Sequence, residues 1–178
     1  MDKNLLTNSI KKNESLFAQV VQSQVVLDLN GDKINDEKML VISEALKLNS
    51  SLITINLKNN KIGDEGVKYL SESLKINSSL KSVYLSNNKI GDEGVKYLCE
   101  SLPYNNSITE LNLFGNEMSE TSYLKVFFVV EQNKNYPEDA KKRVEKILRK
   151  SKTIKEMNFS SITLVFIKKK KNSNYKII

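Results

Sequence analysis

Two periods of apolar residues alternate along this chain, and together they define a unit of 28 residues. Apolar and polar positions first alternate, as in Ile-Asn-Leu at 55–57, which predicts a short strand with one buried face. Apolar residues then recur at intervals of three and four, as in Val67, Leu70 and Leu74, which predicts an amphipathic helix. Each unit is therefore expected to contain one strand followed by one helix.

The unit is a tandem repeat. Residues 52–79 and 80–107 are identical at 19 of 28 positions, and the run NNKIGDEGVKYL recurs in both without change. The same frame of apolar positions extends upstream to 24–51 and downstream to 108–135. Strand-helix units of this kind stack into a solenoid, because no single unit can bury its own apolar face.

The frame divides the chain into four segments. Residues 1–23 are predicted to be a helical cap or degenerate repeat, and 24–135 hold the four 28-residue repeats. Residues 136–165 break the rhythm and are predicted to form an irregular helix and a closing strand, because a solenoid needs its open end covered. Residues 166–178 are a basic tail.

The spacing Leu-x-x-Leu-x-Leu-x-x-Asn-x-Ile resembles a leucine-rich repeat. The 28-residue length and the Gly-Asp-Glu-Gly start of the helix are similar to the ribonuclease-inhibitor-like subclass, found also in NOD-like receptors and Ran GTPase activators. The resemblance implies an α/β fold, a leucine-rich-repeat solenoid that forms a short right-handed horseshoe arc. A parallel sheet would line its concave face and helices its convex face.

Two polar positions of the repeat are interpreted as structural. Asn60, Asn88 and Asn116 follow successive strands, where their side chains are expected to bond the exposed backbone of the turn, since buried polar groups need partners. Asp64 and Asp92 begin the predicted helices, where each is expected to cap the N-terminus of its own helix.

The concave face is the predicted binding surface, because its residues differ between repeats while the scaffold positions do not. Tyr84 and Phe114 are its aromatic residues, and aromatic side chains often anchor protein interfaces. Val26, Asn30 and Ser86 also point outward in this frame. The predicted partner-binding residues are Asp28, Thr54, Asn56, Lys58, Ser82, Tyr84, Glu110, Asn112 and Phe114.

Composition argues against catalysis. The chain has no His and one Cys, which excludes His-based acid–base sites, the usual zinc sites and an internal disulfide. Asp28, Asn30 and Asp32 resemble the start of a calcium loop, but Lys33 stands where glycine is needed and Met39 where glutamate is needed. We therefore expect no enzymatic activity, no cofactor, no metal and no small-molecule substrate.

Positive charge is concentrated at the C-terminal end. Residues 136–178 carry 13 Lys and Arg against 4 Asp and Glu, a net charge of +9, while 1–135 carry 15 against 17, a net charge of −2. One interpretation is a solvated tail. The alternative is contact with nucleic acid or an acidic membrane through residues 141–176.

The leading functional hypothesis is a non-catalytic module that binds a protein partner through the concave face, as a host-directed effector or a NOD-like-receptor-type protein. The alternative from the resemblance is a GTPase regulator of the Ran-activator type. The only arginines, Arg143 and Arg149, lie in the irregular segment. A polar N-terminus without an apolar run predicts no secretory signal, and so a cytoplasmic location or delivery into a host cytoplasm without a Sec-type signal.

The frame places Leu85 in the buried strand row of the third repeat. Leu85→Asp is expected to unfold the protein, because the substitution buries a charge that has no partner. Thermal unfolding followed by circular dichroism measures this effect. An unchanged melting temperature would contradict the frame.

Overall fold

Four short parallel strands form one sheet in the part of the chain that the computed structural model describes, residues 3–131 and Asn133. Their spatial order follows their order in the sequence, and each residue pairs with the one 28 positions later, as Leu27 does with Ile55. The sequence repeat is therefore also the register of the sheet. The strands are β1 (Val26–Asp28), β2 (Thr54–Asn56), β3 (Ser82–Tyr84) and β4 (Glu110–Asn112).

Helices follow every strand and also precede the first one. A short 3-10 helix, Leu102–Tyr104, continues the helix of the third repeat. The α-helices are α1 (Lys3–Lys12), α2 (Glu14–Gln22), α3 (Asp36–Leu48), α4 (Asp64–Leu74), α5 (Asp92–Ser101) and α6 (Glu120–Glu131).

The difference between strand and helix spacing makes the sheet the inner, concave layer. Paired strands lie about 4.8 Å apart, whereas packed helices need about 9 Å between their axes. Successive repeats must therefore be closer together on the strand side. The leucine-rich-repeat solenoid inferred from the sequence is confirmed for the described repeats, with a parallel sheet on one side and helices on the other.

The core lies between the sheet and the helices. It is built from the same positions of each repeat, so the apolar residues form rows that run from one repeat to the next. In the second repeat, the fully or almost fully buried residues are Ile55, Leu57, Ile62, Val67, Leu70 and Leu74. The core is continuous across the repeats, so each repeat buries its apolar residues only when it stacks on its neighbours.

The two N-terminal helices cover the first repeat. Val20 of α2 is fully buried and belongs to the core. Asn49, at the end of α3, donates from Nδ2 to the carbonyl oxygens of Val20 and Ser23 at 2.9 and 2.6 Å. The described part of segment 1–23 is thus fastened to the repeats by both apolar packing and hydrogen bonds.

Asparagine side chains join each repeat to the one before it. The amide nitrogen of Asn88 donates to Leu57 O of the preceding repeat at 2.9 Å and to Leu85 O of its own repeat at 3.0 Å. Its amide oxygen accepts from Ile62 N–H at 3.0 Å. Asn60 and Asn116 make the corresponding bonds 28 residues away on either side.

A second row of asparagines, whose role was not predicted from the sequence, joins the repeats at the other end of the helices. Asn77 donates to Leu46 O and to Asn49 O, both at 2.8 Å, and accepts from Leu80 N–H. Asn105 repeats this pattern one unit later, at 2.7 and 2.9 Å to Leu74 O and Asn77 O. Asn133 donates to Asn105 O at 2.9 Å.

The predicted capping role of Asp64 and Asp92 is wrong in one respect. Glycine occupies the N-cap positions of α4 and α5, and the aspartate caps the helix of the next repeat. Asp64 Oδ1 accepts from Gly91 N–H at 2.7 Å and from Gly94 N–H at 3.0 Å. A Cβ at Gly94 would lie 2.6 Å from this oxygen, so the inter-repeat cap requires glycine there.

The turn that follows each strand uses a left-handed backbone. Asn59 and Asn87 both have φ of 56°, and Gly31 and Gly115 occupy the same repeat position with φ of 76° and 73°. Asparagine and glycine tolerate this conformation better than other residues do. Backbone geometry therefore explains why this repeat position is either asparagine or glycine.

The predictions for 136–165 and 166–178 lie outside the described residues. Within the described part of the chain, no helix is long and apolar enough to cross a membrane.

Asn88→Ala tests the asparagine bridge. The substitution leaves the buried Ile62 N–H without its acceptor and removes one of the two asparagine donors from Leu57 O and from Leu85 O. We expect it to lower the free energy of unfolding by about 1–3 kcal/mol. Urea unfolding followed by circular dichroism measures the change. The control is Lys89→Ala at the next, exposed position, expected to change stability by less than about 0.5 kcal/mol. Equal effects of the two substitutions would count against a bridging role.

Candidate partner-binding face

The predicted site residues lie on the concave side of the sheet and in the turns that follow its strands. In β2 and β3 the central residue is buried and its two neighbours are partly exposed, so the neighbours point away from the helices. Asp28, Glu110 and Phe114 are exposed. The half-buried members of the set are Thr54, Asn56, Lys58, Ser82, Tyr84 and Asn112. Ser86, expected to point outward, is only 8% exposed, which corrects that expectation.

Three predicted residues have a turn-forming role in addition to their place on the face. A side-chain oxygen of Asp28, Asn56 and Asn112 accepts from the backbone N–H two residues later, at 3.0, 3.2 and 3.1 Å. Such short loops are the usual use of Asp and Asn at the end of a strand. These three residues therefore shape the edge of the face.

A polar cluster spans β3 and β4. The carboxylate oxygen Oε2 of Glu110 accepts from Tyr84 Oη–H at 2.9 Å and from Ser82 Oγ–H at 3.0 Å. Parallel pairing places Ser82 directly beside Glu110 and Tyr84 beside Asn112. The register of the sheet thus brings together side chains that are 26 and 28 residues apart in the sequence.

A cation packs on the same aromatic ring from the neighbouring repeat. Lys58 Nζ lies 4.6 Å from the centroid of the Tyr84 ring, within the distance at which an ammonium group is attracted to an aromatic face. Tyr84 is therefore held on two sides, by Lys58 against its ring and by Glu110 at its hydroxyl. The ring is positioned before any partner arrives.

Glu110 also changes the acidity of Tyr84. The hydrogen bond to the Glu110 carboxylate raises the pKa of the Tyr84 hydroxyl, and partial burial and the negative charge of Glu110 raise it further. Because the carboxylate accepts a hydrogen bond from the phenol, loss of the phenolic proton would place two negative oxygens together. The neutral phenol is accordingly the stable form in this cluster.

Phe114 is the most exposed large apolar residue of the face. The residue is 76% exposed, although two hydrogen bonds fix its backbone. Phe114 N–H donates to Asn112 Oδ1, and Phe114 O accepts from Asn87 N–H. A rigid backbone that carries an exposed aromatic ring loses little conformational freedom when a partner covers that ring. Phe114 and Tyr84 are brought to the same part of the sheet, at the third and fourth repeats.

Another exposed apolar row lies away from this face and was not predicted from the sequence. Leu48, Ile76 and Tyr104 are separated by 28 residues each and are more than 60% exposed, at the ends of the helical segments. The sequence contains their common register. The repeat pattern alone does not tell an exposed apolar position from a buried one, because both appear as apolar residues between polar ones.

The described residues contain no group of three or more His, Cys, Asp or Glu side chains that could hold a metal ion. Cys99, on α5, takes the repeat position of Ser43 and Ser71. Burial raises the pKa of its thiol to about 12, with a smaller opposing effect of Lys125. A thiol of this acidity is a poor nucleophile near neutral pH.

The family match and one solved structure with a TM-score above 0.5 agree with this architecture. The family described as "Leucine Rich repeat" matches residues 48–71, 77–99 and 104–120. The solved structure of leiomodin-1 actin-binding site 2 covers 78% of this chain and 97% of its own, with a TM-score of 0.56 and 18% identity. The match to the tropomodulin C-terminal domain of Caenorhabditis elegans covers 75% of this chain and 97% of that domain, with a TM-score of 0.47 and 15% identity. No curated protein matches in sequence.

Removal of the Glu110 carboxylate should lower the pKa of Tyr84. In Glu110→Ala, the phenol loses its acceptor and the nearby negative charge, so the phenolate forms at a lower pH than in the wild type. Titration of tyrosine labelled at Cζ with carbon-13, followed by nuclear magnetic resonance, measures this shift. Glu117→Ala, which removes an exposed carboxylate elsewhere, is the control and should leave Tyr84 unchanged. A wild-type titration retained in Glu110→Ala would rule out the hydrogen bond.

Proposed function

Because the chain is a leucine-rich-repeat protein, we propose that it is a non-catalytic module that binds a protein partner through the concave face of its solenoid. The ribonuclease-inhibitor-like subclass stays a prediction. The function is argued from the face itself, since one fold serves many functions.

The observation that carries the proposal is the variation of the face against a constant scaffold. The second and third repeats are identical at 19 of 28 positions, yet both outward positions of the strand differ between them. The pairs are Thr54 with Ser82 and Asn56 with Tyr84, and the half-buried Lys58 is replaced in the third repeat by the buried Ser86. Stacking does not require different residues at these positions, whereas recognition of an asymmetric partner does.

The second support is the arrangement of the third and fourth repeats. Tyr84 is held between Lys58 and Glu110, and Phe114 is exposed nearby. Interfaces derive most of their affinity from a few positioned aromatic and charged residues near their centre. A partner that covers this region has such anchors available.

The finer predictions about identity stay proposals. They are a host-directed effector or NOD-like-receptor-type protein, a Ran-activator-type regulator and a cytoplasmic location. Arg143, Arg149 and the basic segment 141–176 lie outside the described residues. The similar leiomodin-1 structure is that of an actin-binding site, so actin is a defined protein to include in the test. At 18% identity, the similarity itself supports only a shared fold.

Affinity capture from cytosolic lysate, with purified actin as a separate arm, tests the proposal. The baits are the full wild-type chain, the Tyr84→Ala/Phe114→Ala variant and Tyr104→Ala. Tyr104 is an exposed aromatic residue outside the face, which makes its variant the matched control. We expect the face variant to lose a specific protein at least about tenfold, the effect of one moderate anchor, while Tyr104→Ala retains it.

Other outcomes would contradict the proposal. Equal capture by all three folded baits would exclude the concave face as the binding surface. Capture that is insensitive to the face variant but falls steeply with salt would instead favour the basic C-terminal segment, through nucleic acid or acidic lipid. Loss only in Tyr104→Ala would place the interface on the exposed row at the helix ends.

A further inference from the structure

We propose that the partner brings a basic side chain, an arginine or a lysine, to Glu110 and an apolar side chain to Phe114. This inference rests on the proposed function and specifies the chemistry that the concave face recognises.

The carboxylate of Glu110 is oriented without being neutralised. Both of its neighbours, the hydroxyls of Ser82 and Tyr84, are uncharged donors, and both bond the same oxygen, Oε2. Among the described residues, Oε1 receives no hydrogen bond that satisfies normal geometry. The two bonds to Oε2 fix the orientation of the carboxylate, and Oε1 can still accept a hydrogen bond from an incoming charged donor.

No described cation takes that place. The described ion pairs join Lys12 to Glu37 and four other lysines to helical glutamates three residues earlier, and none of them includes Glu110. Lys58, the cation on the same face, lies over the Tyr84 ring. Glu110 thus differs from the paired helical glutamates Glu44, Glu65, Glu72 and Glu93.

The charge of the face also favours a basic partner. Asp28 and Glu110 provide two carboxylates, against the single ammonium of Lys58 that packs on an aromatic ring. Complementary charge accelerates association and excludes partners of the same sign. An acidic polymer such as nucleic acid would meet an uncompensated carboxylate at the centre of the aromatic region.

Phe114 sets the second requirement and the spacing. Glu110 begins β4, and Phe114 lies four residues later in the turn that follows this strand. A fully extended chain of that length spans about 13 Å, which sets the upper limit on the separation of the two backbones. The exposed ring of Phe114 gains most from contact with an apolar side chain. The partner surface is therefore expected to present a cation and an apolar group within this limit.

A selection experiment with defined probes tests this recognition. A displayed library of random 12-residue peptides is selected in parallel on the full-length wild type, Glu110→Lys, Phe114→Ala and Glu117→Lys. Glu117 is also an exposed carboxylate without a described ion pair, so its variant controls for the same change of charge. Melting temperatures establish that each variant is folded.

We expect the wild type and Glu117→Lys to enrich peptides that carry Arg or Lys together with an apolar residue. Binding of these peptides should fall at least tenfold on Glu110→Lys, about the value of one charge-assisted contact, and on Phe114→Ala. Selection on Glu110→Lys should instead enrich peptides with Asp or Glu. Replacement of the basic residue in a selected peptide by Gln should abolish the difference between wild type and Glu110→Lys.

The failure of this inference is distinguishable from the failure of the proposed function. Peptides that depend on Phe114 but show no basic preference would overturn the inference and leave the concave face as the binding surface. A loss on Glu117→Lys equal to that on Glu110→Lys would also overturn it, because the effect would then be one of net charge. No enrichment, or enrichment that no face variant alters, would count against both.

Discussion

The asparagine amide buried between two repeats is the interaction on which the rest of the structure depends. Each turn after a strand leaves backbone N–H and C=O groups facing the interior, where an unpaired polar group is costly. Asn88 satisfies groups of both kinds, and some of them belong to the preceding repeat. A carboxylate in its place would have no hydrogens to donate, and an aliphatic side chain would have neither function. This requirement couples each repeat to its neighbour, so stability arises between repeats.

The same coupling frees the concave face from a structural role. The buried rows, the two rows of asparagines and the aspartate that caps the next helix together set the spacing and register of the strands. Residues such as Thr54 and Tyr84 contribute little to this framework, and they differ between two otherwise near-identical repeats. The exceptions are Asp28, Asn56 and Asn112, which help to form the turns.

The fold could be predicted from the sequence because a 28-residue repeat fixes both the element order and the strand register. Features that depend on contacts between repeats were harder to predict from the sequence. The aspartate cap was assigned to the wrong helix, since Asp64 is the first residue of its own helix in the sequence but accepts from Gly91 N–H of the next repeat. The outward positions followed from alternation, whereas the bond between Tyr84 and Glu110 joins residues that no local pattern relates. The burial of Ser86 likewise departs from simple alternation beyond the end of β3.

The candidate site and the framework meet at the boundary between the third and fourth repeats. Asn116 donates to Leu85 O of the third repeat and to Leu113 O of the fourth, on either side of this boundary. Tyr84 stands on one side of it, and Glu110 stands on the other. The polar cluster therefore exists only while the asparagine bridge holds the two strands in register. Charges on the helices are different, because Glu65 with Lys68 and Glu93 with Lys96 pair within one helix and survive any shift between repeats. The proposed recognition on this face thus depends on repeat stacking, whereas the ion pairs within the helices do not.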